Sequence, residues 1–148
     1  MSTNTDSALV VQLQRQIAAP PEKVWPICAG KIEEWLGMTS FEHHVGGRIL
    51  IDVQMDKRYI MYGNVTVYDE QQEVAFTWSE LDVSKRALVA WDTLVRITLE
   101  LRDGDTLVTL RHAGFDHLPD AEVQYNNYRQ GWESLNDLDK LAEMCEGK

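Results

Sequence analysis

The side chains in this sequence best equipped for chemistry are a histidine and an arginine set among apolar residues. His112 alternates with Val108 and Leu110, which places it on the inward face of a strand; the one inward group that titrates near neutral pH unaided, it is the candidate general base. Its simpler role is a hydrogen-bonded structural histidine. Arg15 alternates with Val11, Leu13 and Ile17. A guanidinium cannot shed its charge, so an inward Arg15 requires an anion. That anion is an internal carboxylate, with Asp52 and Glu42 the expected mates, or the acid group of a ligand met by paired hydrogen bonds. If the chain is an enzyme, His112 and Arg15 are its catalytic candidates.

Other constellations fail on spacing. His43 and His44 are adjacent, and neighbouring strand residues point to opposite faces, so they do not ligate one ion. His112 and His117 stand beside Asp116 with no Cys or second carboxylate at ligand spacing, so no metal is expected. There is no G-x-S-x-G and no G-x-x-x-x-G-K, which removes the usual serine-nucleophile and phosphate-loop chemistries; no cofactor is expected. Cys28 and Cys145 are the only cysteines and lack C-x-x-C spacing. They predict reduced thiols in a cytoplasmic protein, with Cys28 a small hydrophobe.

Aromatic residues supply the second signal. Trp and Tyr join a large apolar body to a polar tip, which suits a pocket wall as well as a core. Periodicity turns Trp78, His112, Phe115, Tyr125, Tyr128 and Trp132 toward one space between strands and a helix, with Trp25 and Trp35 on short helices nearby. As ligand-binding candidates these are Trp78, His112, Phe115, Tyr125, Tyr128, Trp132, Trp35 and Arg15; as structure they are core. Gly131 interrupts the helical stripe at a cost of about 1 kcal/mol relative to Ala, which implies close approach to the sheet or room for a ligand.

Positioning them requires the following elements. Residues 1–8 read as a loose polar arm, and 9–148 as one domain. A half-buried strand covers 10–17. Pro20-Pro21-Glu22 opens a short helix to Cys28, which Pro26 should kink or end early, and Gly30 and Gly37 bracket a second over 31–36. Alternation then predicts strands over 48–54, 59–68, 73–80, 93–102 and 105–115, about six in all with the first, joined as an antiparallel meander with a hairpin at Asp103-Gly104. Residues 81–92 fit either extended strand ends around a Ser84-Lys85 turn or a longer loop. From Pro119 to Glu146, Ala121, Tyr125, Tyr128, Trp132, Leu135, Leu138, Leu141, Ala142 and Cys145 mark one long amphipathic helix. Its wet face carries Glu122, Arg129, Glu133, Asp137, Lys140 and Glu143.

This order resembles the helix-grip fold of the START-like superfamily, also called SRPBCC. "IAAPPEKVWP" at 17–26 looks like the strand-to-helix entry of the branch named after the activator of the heat-shock chaperone ATPase. "VGGRILID" at 45–52, "YGNVTVYD" at 62–69, "VAFTWSE" at 74–80, "DTLVTLRHAGF" at 105–115 and "GWESLNDLDKLAE" at 131–143 are similar to its later signatures, in family order over nearly the whole chain. Pro26 and the DEQQE link after Tyr68 depart from the pattern. The resemblance implies an α+β fold, a curved antiparallel sheet wrapped around a long C-terminal helix, with a cavity that commonly takes an apolar or polycyclic molecule.

The expected function is therefore non-covalent binding of an apolar or aromatic small molecule, lipid-like or polycyclic, beneath the last helix. One alternative is a cyclase- or hydrolase-type enzyme acting in the same cavity through His112 with Arg15 or a tyrosine hydroxyl. The other is a chaperone-linked interaction module, although the chaperone-binding domain of the activator itself has no counterpart in a chain of this length. Lys plus Arg total 14 against 24 Asp plus Glu, a net charge of −10; this disfavours any broad grip on nucleic acid. No apolar run reaches the ~18 residues of a membrane span. Nothing in the composition sets an oligomeric state.

Overall fold

A computed structural model describes residues 9–147 of the chain, so the arm over 1–8 lies outside the described residues. The elements run β1 (Val11–Ile17), α1 (Pro21–Cys28), α2 (Ile32–Leu36), β2 (Ser40–Phe41), β3 (Arg48–Gln54), β4 (Arg58–Asp69), β5 (Glu73–Asp82), β6 (Ala87–Arg102), β7 (Asp105–Ala113), α3 (Ala121–Leu135) and α4 (Asp137–Cys145). Among the described residues these strands form one antiparallel sheet in the order β1-β7-β6-β5-β4-β3-β2. The meander and the α+β helix-grip architecture are as the sequence predicts. The strand count is seven rather than six, because β2 is only two residues long and too short to show alternation.

The sheet curves because several positions break its register. Pairing shifts between Val65 and Val67 on β4, and between Trp78 and Glu80 and again between Glu80 and Leu81 on β5; each such bulge increases local twist and bends the strand. Gly63 lets β4 approach β5 at this bend, since a Cβ there would lie 1.9 Å from the Thr77 carbonyl oxygen. The segment over 81–92 takes the first of its two predicted forms: β5 and β6 extend to a four-residue turn over 83–86. At the other end of β6, Asp103 and Gly104 both hold positive φ, 54° and 87°, as the predicted two-residue hairpin requires.

Pro26 does not end α1, which runs on to Cys28. The proline is exposed, and at that position only the one bond to the Glu22 carbonyl is lost. The C-terminal helix, by contrast, is bent rather than continuous. Asn136 adopts the left-handed conformation, φ 58° and ψ 37°, ending α3 and starting α4. Asparagine tolerates that region, so the 3.6-residue pattern on either side conceals a change of direction. Two residues change sides as a result: Leu135 becomes exposed, and Asp137, expected on the wet face, is buried. Asn136→Gly is expected to be neutral or stabilising, because it removes the Cβ that crowds this φ, and Asn136→Ala to cost about 1–2 kcal/mol in urea denaturation, because it keeps the Cβ and loses the short polar side chain that makes the left-handed region tolerable.

The core lies between the concave face of the sheet and the helices. Ile17, Val24, Ile32, Trp35, Phe76, Leu110, Phe115 and Leu141 are essentially without solvent contact, and α4 packs on β1, α1 and α2. Both cysteines are free and buried. Burial pushes their thiols up, Cys145 to about 11, so they are unreactive as thiolates.

Candidate functional site

Toward the β3–β5 side the helices stand away from the sheet and leave a cavity of about 690 Å³, within the range of small-molecule sites. Its floor comes from Ile51 and Val53 of β3, Tyr59 and Met61 of β4, and Trp78, Glu80 and Asp82 of β5; its roof from Gln124, Asn127, Tyr128, Gly131, Trp132 and Leu135 of α3 and Asp137 and Lys140 of α4. Leu36 and Gly37 close the α2 side, and Lys85 and Val89 the β5–β6 side.

Of the sequence-predicted residues, Trp78, Tyr128 and Trp132 line this space. His112 and Phe115 lie behind the wall with no solvent exposure, the ring centroids 4.8 Å apart. Tyr125 packs on Phe115, 6.2 Å between centroids, outside the lining. Trp35 is fully buried and donates its indole N–H to the Cys28 carbonyl at 2.9 Å; α2 reaches the cavity with Leu36 instead.

Arg15 is also outside the lining. It pairs with Asp139 of α4, with 39% and 55% of the two side chains exposed, a surface pair contributing about 0–1 kcal/mol. The expected mates are engaged elsewhere: Asp52 with Arg58 at 2.9 Å, and Glu42 with Arg48 through the Arg48 backbone N–H at 2.7 Å. Those two carboxyls are held below their usual range by these hydrogen bonds.

Two hydrogen-bond chains fasten α3 to the sheet. In the first, Trp132 Nε1–H donates to His112 Nδ1 at 3.1 Å, and His112 Nε2 lies 2.7 Å from Thr93 Oγ1, which donates to the Trp78 carbonyl at 2.9 Å. An indole N–H can only donate, so Nδ1 is an acceptor, and the neutral ring carries its proton on Nε2. Both ring nitrogens are thus satisfied inside the core, and burial depresses the imidazole to about 3. A general base needs a free lone pair within reach of substrate; His112 offers none. Arg15 is also remote from it along the strand, since on β7 Arg15 faces Val108 while His112 faces Val11. In the second chain, Trp78 Nε1–H donates to Tyr128 Oη at 3.1 Å, and Tyr128 donates to Glu80 Oε1. Burial raises the Glu80 carboxyl above its ordinary value, while the tyrosine hydrogen bond opposes that; Tyr128 is pushed up by burial and by Glu80.

The cavity residues that sequence reasoning passed over include three acids, Glu80, Asp82 and Asp137. Glu80 and Asp82 continue the inward alternation of Val74, Phe76 and Trp78, so extending that pattern along β5 finds them. Asp137 has a weaker signal, an Asn-Asp step in the middle of an apparent helix. Of the two expectations for Gly131, close approach to the sheet does not hold, since a Cβ there meets nothing within 4 Å; the residue opens on the cavity. His43 sits between Tyr68 Oη at 3.2 Å and Glu33 Oε2 at 3.3 Å, and His44 Nδ1 is 3.0 Å from the Val45 carbonyl.

Comparison with known proteins places this architecture. The family model described as activator of Hsp90 ATPase homolog 1-like protein matches residues 18–146. No curated protein matches the chain. Among solved structures, protein MLL2253 from Mesorhizobium loti superposes with a TM-score of 0.69 at 26% identity, over 90% of this chain and 94% of that one. DynU16, from the dynemicin biosynthetic locus, gives 0.68 at 20% identity over 94% of this chain and 48% of its own, so this chain spans about half of it. The Aha1 dimer from Colwellia psychrerythraea gives 0.64 at 16% identity, over 93% of this chain and 96% of that one.

Proposed function

This chain belongs to the family of activator of Hsp90 ATPase homolog 1-like proteins, and on that fold we propose that it binds an apolar or aromatic small molecule non-covalently between sheet and C-terminal helix. The observation that carries this reading is the cavity of about 690 Å³ with Trp78, Trp132, Ile51 and Met61 on its walls. The unbranched glycine in its roof supports it. A mid-helix Gly costs about 1 kcal/mol relative to Ala, and Gly131 leaves open space rather than a backbone contact. Membership of the similar DynU16 in a biosynthetic locus fits a fold used to hold small molecules. The ligand site runs through Trp78, Tyr128 and Trp132, with His112 and Phe115 supporting them from behind. Because both His112 nitrogens are engaged, binding is the better-supported reading than base catalysis.

Nile red, a neutral fluorescent dye, is expected to bind the native protein with an affinity that barely changes with salt, since burial rather than charge drives it. Gly131→Leu projects its side chain into the cavity and is expected to weaken that binding at least about tenfold, while Gly131→Ala raises stability by about 1 kcal/mol in chemical denaturation. Dye binding that survives Gly131→Leu unchanged, or that occurs only in partly unfolded protein, would overturn the proposal.

A further inference from the structure

The cavity has acidic residues in both its floor, Glu80 and Asp82 on β5, and its roof, Asp137 on α4. Asp137 is 8% exposed and lines the cavity, and no protein donor among the described residues hydrogen-bonds its carboxylate. Asp82 is 4% exposed; its Oδ1 accepts the Lys85 backbone N–H at 3.1 Å, and its second oxygen is left without a donor. Glu80 gives one oxygen to Tyr128 and keeps the other. Gln124 donates its amide N–H to Asp120 at 3.0 Å, which leaves its carbonyl oxygen. Among the described residues no fully enclosed polar side-chain atom lacks a partner, so these unengaged oxygens border open space. They are all acceptors.

We infer that the ligand carries a protonated amine on its apolar body, and that the cavity receives this group at Glu80, Asp82 and Asp137. The inference rests on the binding reading above and specifies its ligand class. A ligand carboxylate or carbonyl would set acceptor against acceptor and leave a desolvated charge unpaired; an ammonium supplies several donors and the opposite charge. Lys85 and Lys140 stand at the rim, both exposed, and their flexible stems let the ammonium groups remain in water. Burial raises the carboxyl of Asp137, with Lys140 opposing, and that of Glu80; an entering cation relieves that cost. The net charge of −10 also favours the approach of a cation.

The test uses three pyrenes that share one apolar body: 1-pyrenemethylamine, neutral 1-pyrenemethanol and 1-pyrenecarboxylate, titrated by fluorescence into the full chain near neutral pH. The amine is expected to bind at least about tenfold more tightly than the alcohol, and the carboxylate more weakly. Asp137→Asn and Asp82→Asn are expected to remove most of the amine's advantage, read as the ratio of the amine's Kd to the alcohol's in the same variant. Glu70→Gln makes the same change in net charge at an exposed turn and is expected to leave the advantage intact. If the alcohol binds and the amine has no advantage, or if Glu70→Gln erases the advantage equally, this inference falls and the binding reading stands. If none of the three binds, both fall.

Discussion

Trp132→Ala is expected to destabilise the protein by about 3–5 kcal/mol, the cost of removing a buried tryptophan and leaving a cavity. The side chain is 6% exposed and packs on Trp78 at 5.8 Å and His112 at 6.1 Å between ring centroids. The loss has a polar part as well. Without the indole N–H, Nδ1 of His112 becomes a buried acceptor with no donor, and Trp132→Phe isolates that part at about 1–3 kcal/mol. Urea denaturation of both variants separates the two contributions. If Trp132→Phe matches wild type, the hydrogen bond contributes nothing and α3 is held by packing alone.

Acidification is expected to unfold the protein through His112. Its imidazole titrates at about 3 in the folded chain against an ordinary 6.5. Between those values the unfolded chain takes up a proton that the folded chain refuses, so stability rises with pH across this window. It is fully present above about 6.5 and is lost as pH falls toward 3, by an amount approaching about 4–5 kcal/mol. Glu80 and Asp137 act in the opposite sense. Their carboxyls are raised by burial, so each favours the folded state as it protonates. A wild-type curve therefore mixes the two, and the difference between wild type and His112→Asn isolates the histidine. That variant is expected to be less stable at neutral pH, with the gap closing steadily between pH 6.5 and 4. A constant gap would mean that His112 is not held neutral.

Much of the architecture was legible because faces are a local property. Alternation along β5 placed Val74, Phe76 and Trp78 inward, and helical spacing placed Tyr128 and Trp132 toward them; in the folded chain Trp78 donates to Tyr128 and packs on Trp132. The hairpin at Asp103-Gly104 was legible for the same reason, since two adjacent residues with positive φ are a property of the turn itself. The acidic residues of the cavity were half legible. Glu80 and Asp82 obey the period of the strand that carries them, whereas Asp137 obeys neither period. It turns inward only because Asn136, one residue earlier, takes the left-handed conformation.

What remained for tertiary structure was pairing. Arg15 meets a carboxylate 124 positions away, and neither Asp52 nor Glu42 reaches it. The inward period called for an anion, but the Arg15 side chain is 39% exposed and water already serves it; which carboxylate it meets depends on where α4 lands after the bend at Asn136. His112 is the same case. Its alternation with Val108 and Leu110 put it inside the fold, but its protonation state follows from an indole 20 residues away and a threonine hydroxyl 19 residues away. Sequence periodicity says which way a side chain points. Whether that side chain is a base, a buried prop or one half of an ion pair is set by the atoms that distant elements bring to within about 3 Å of it.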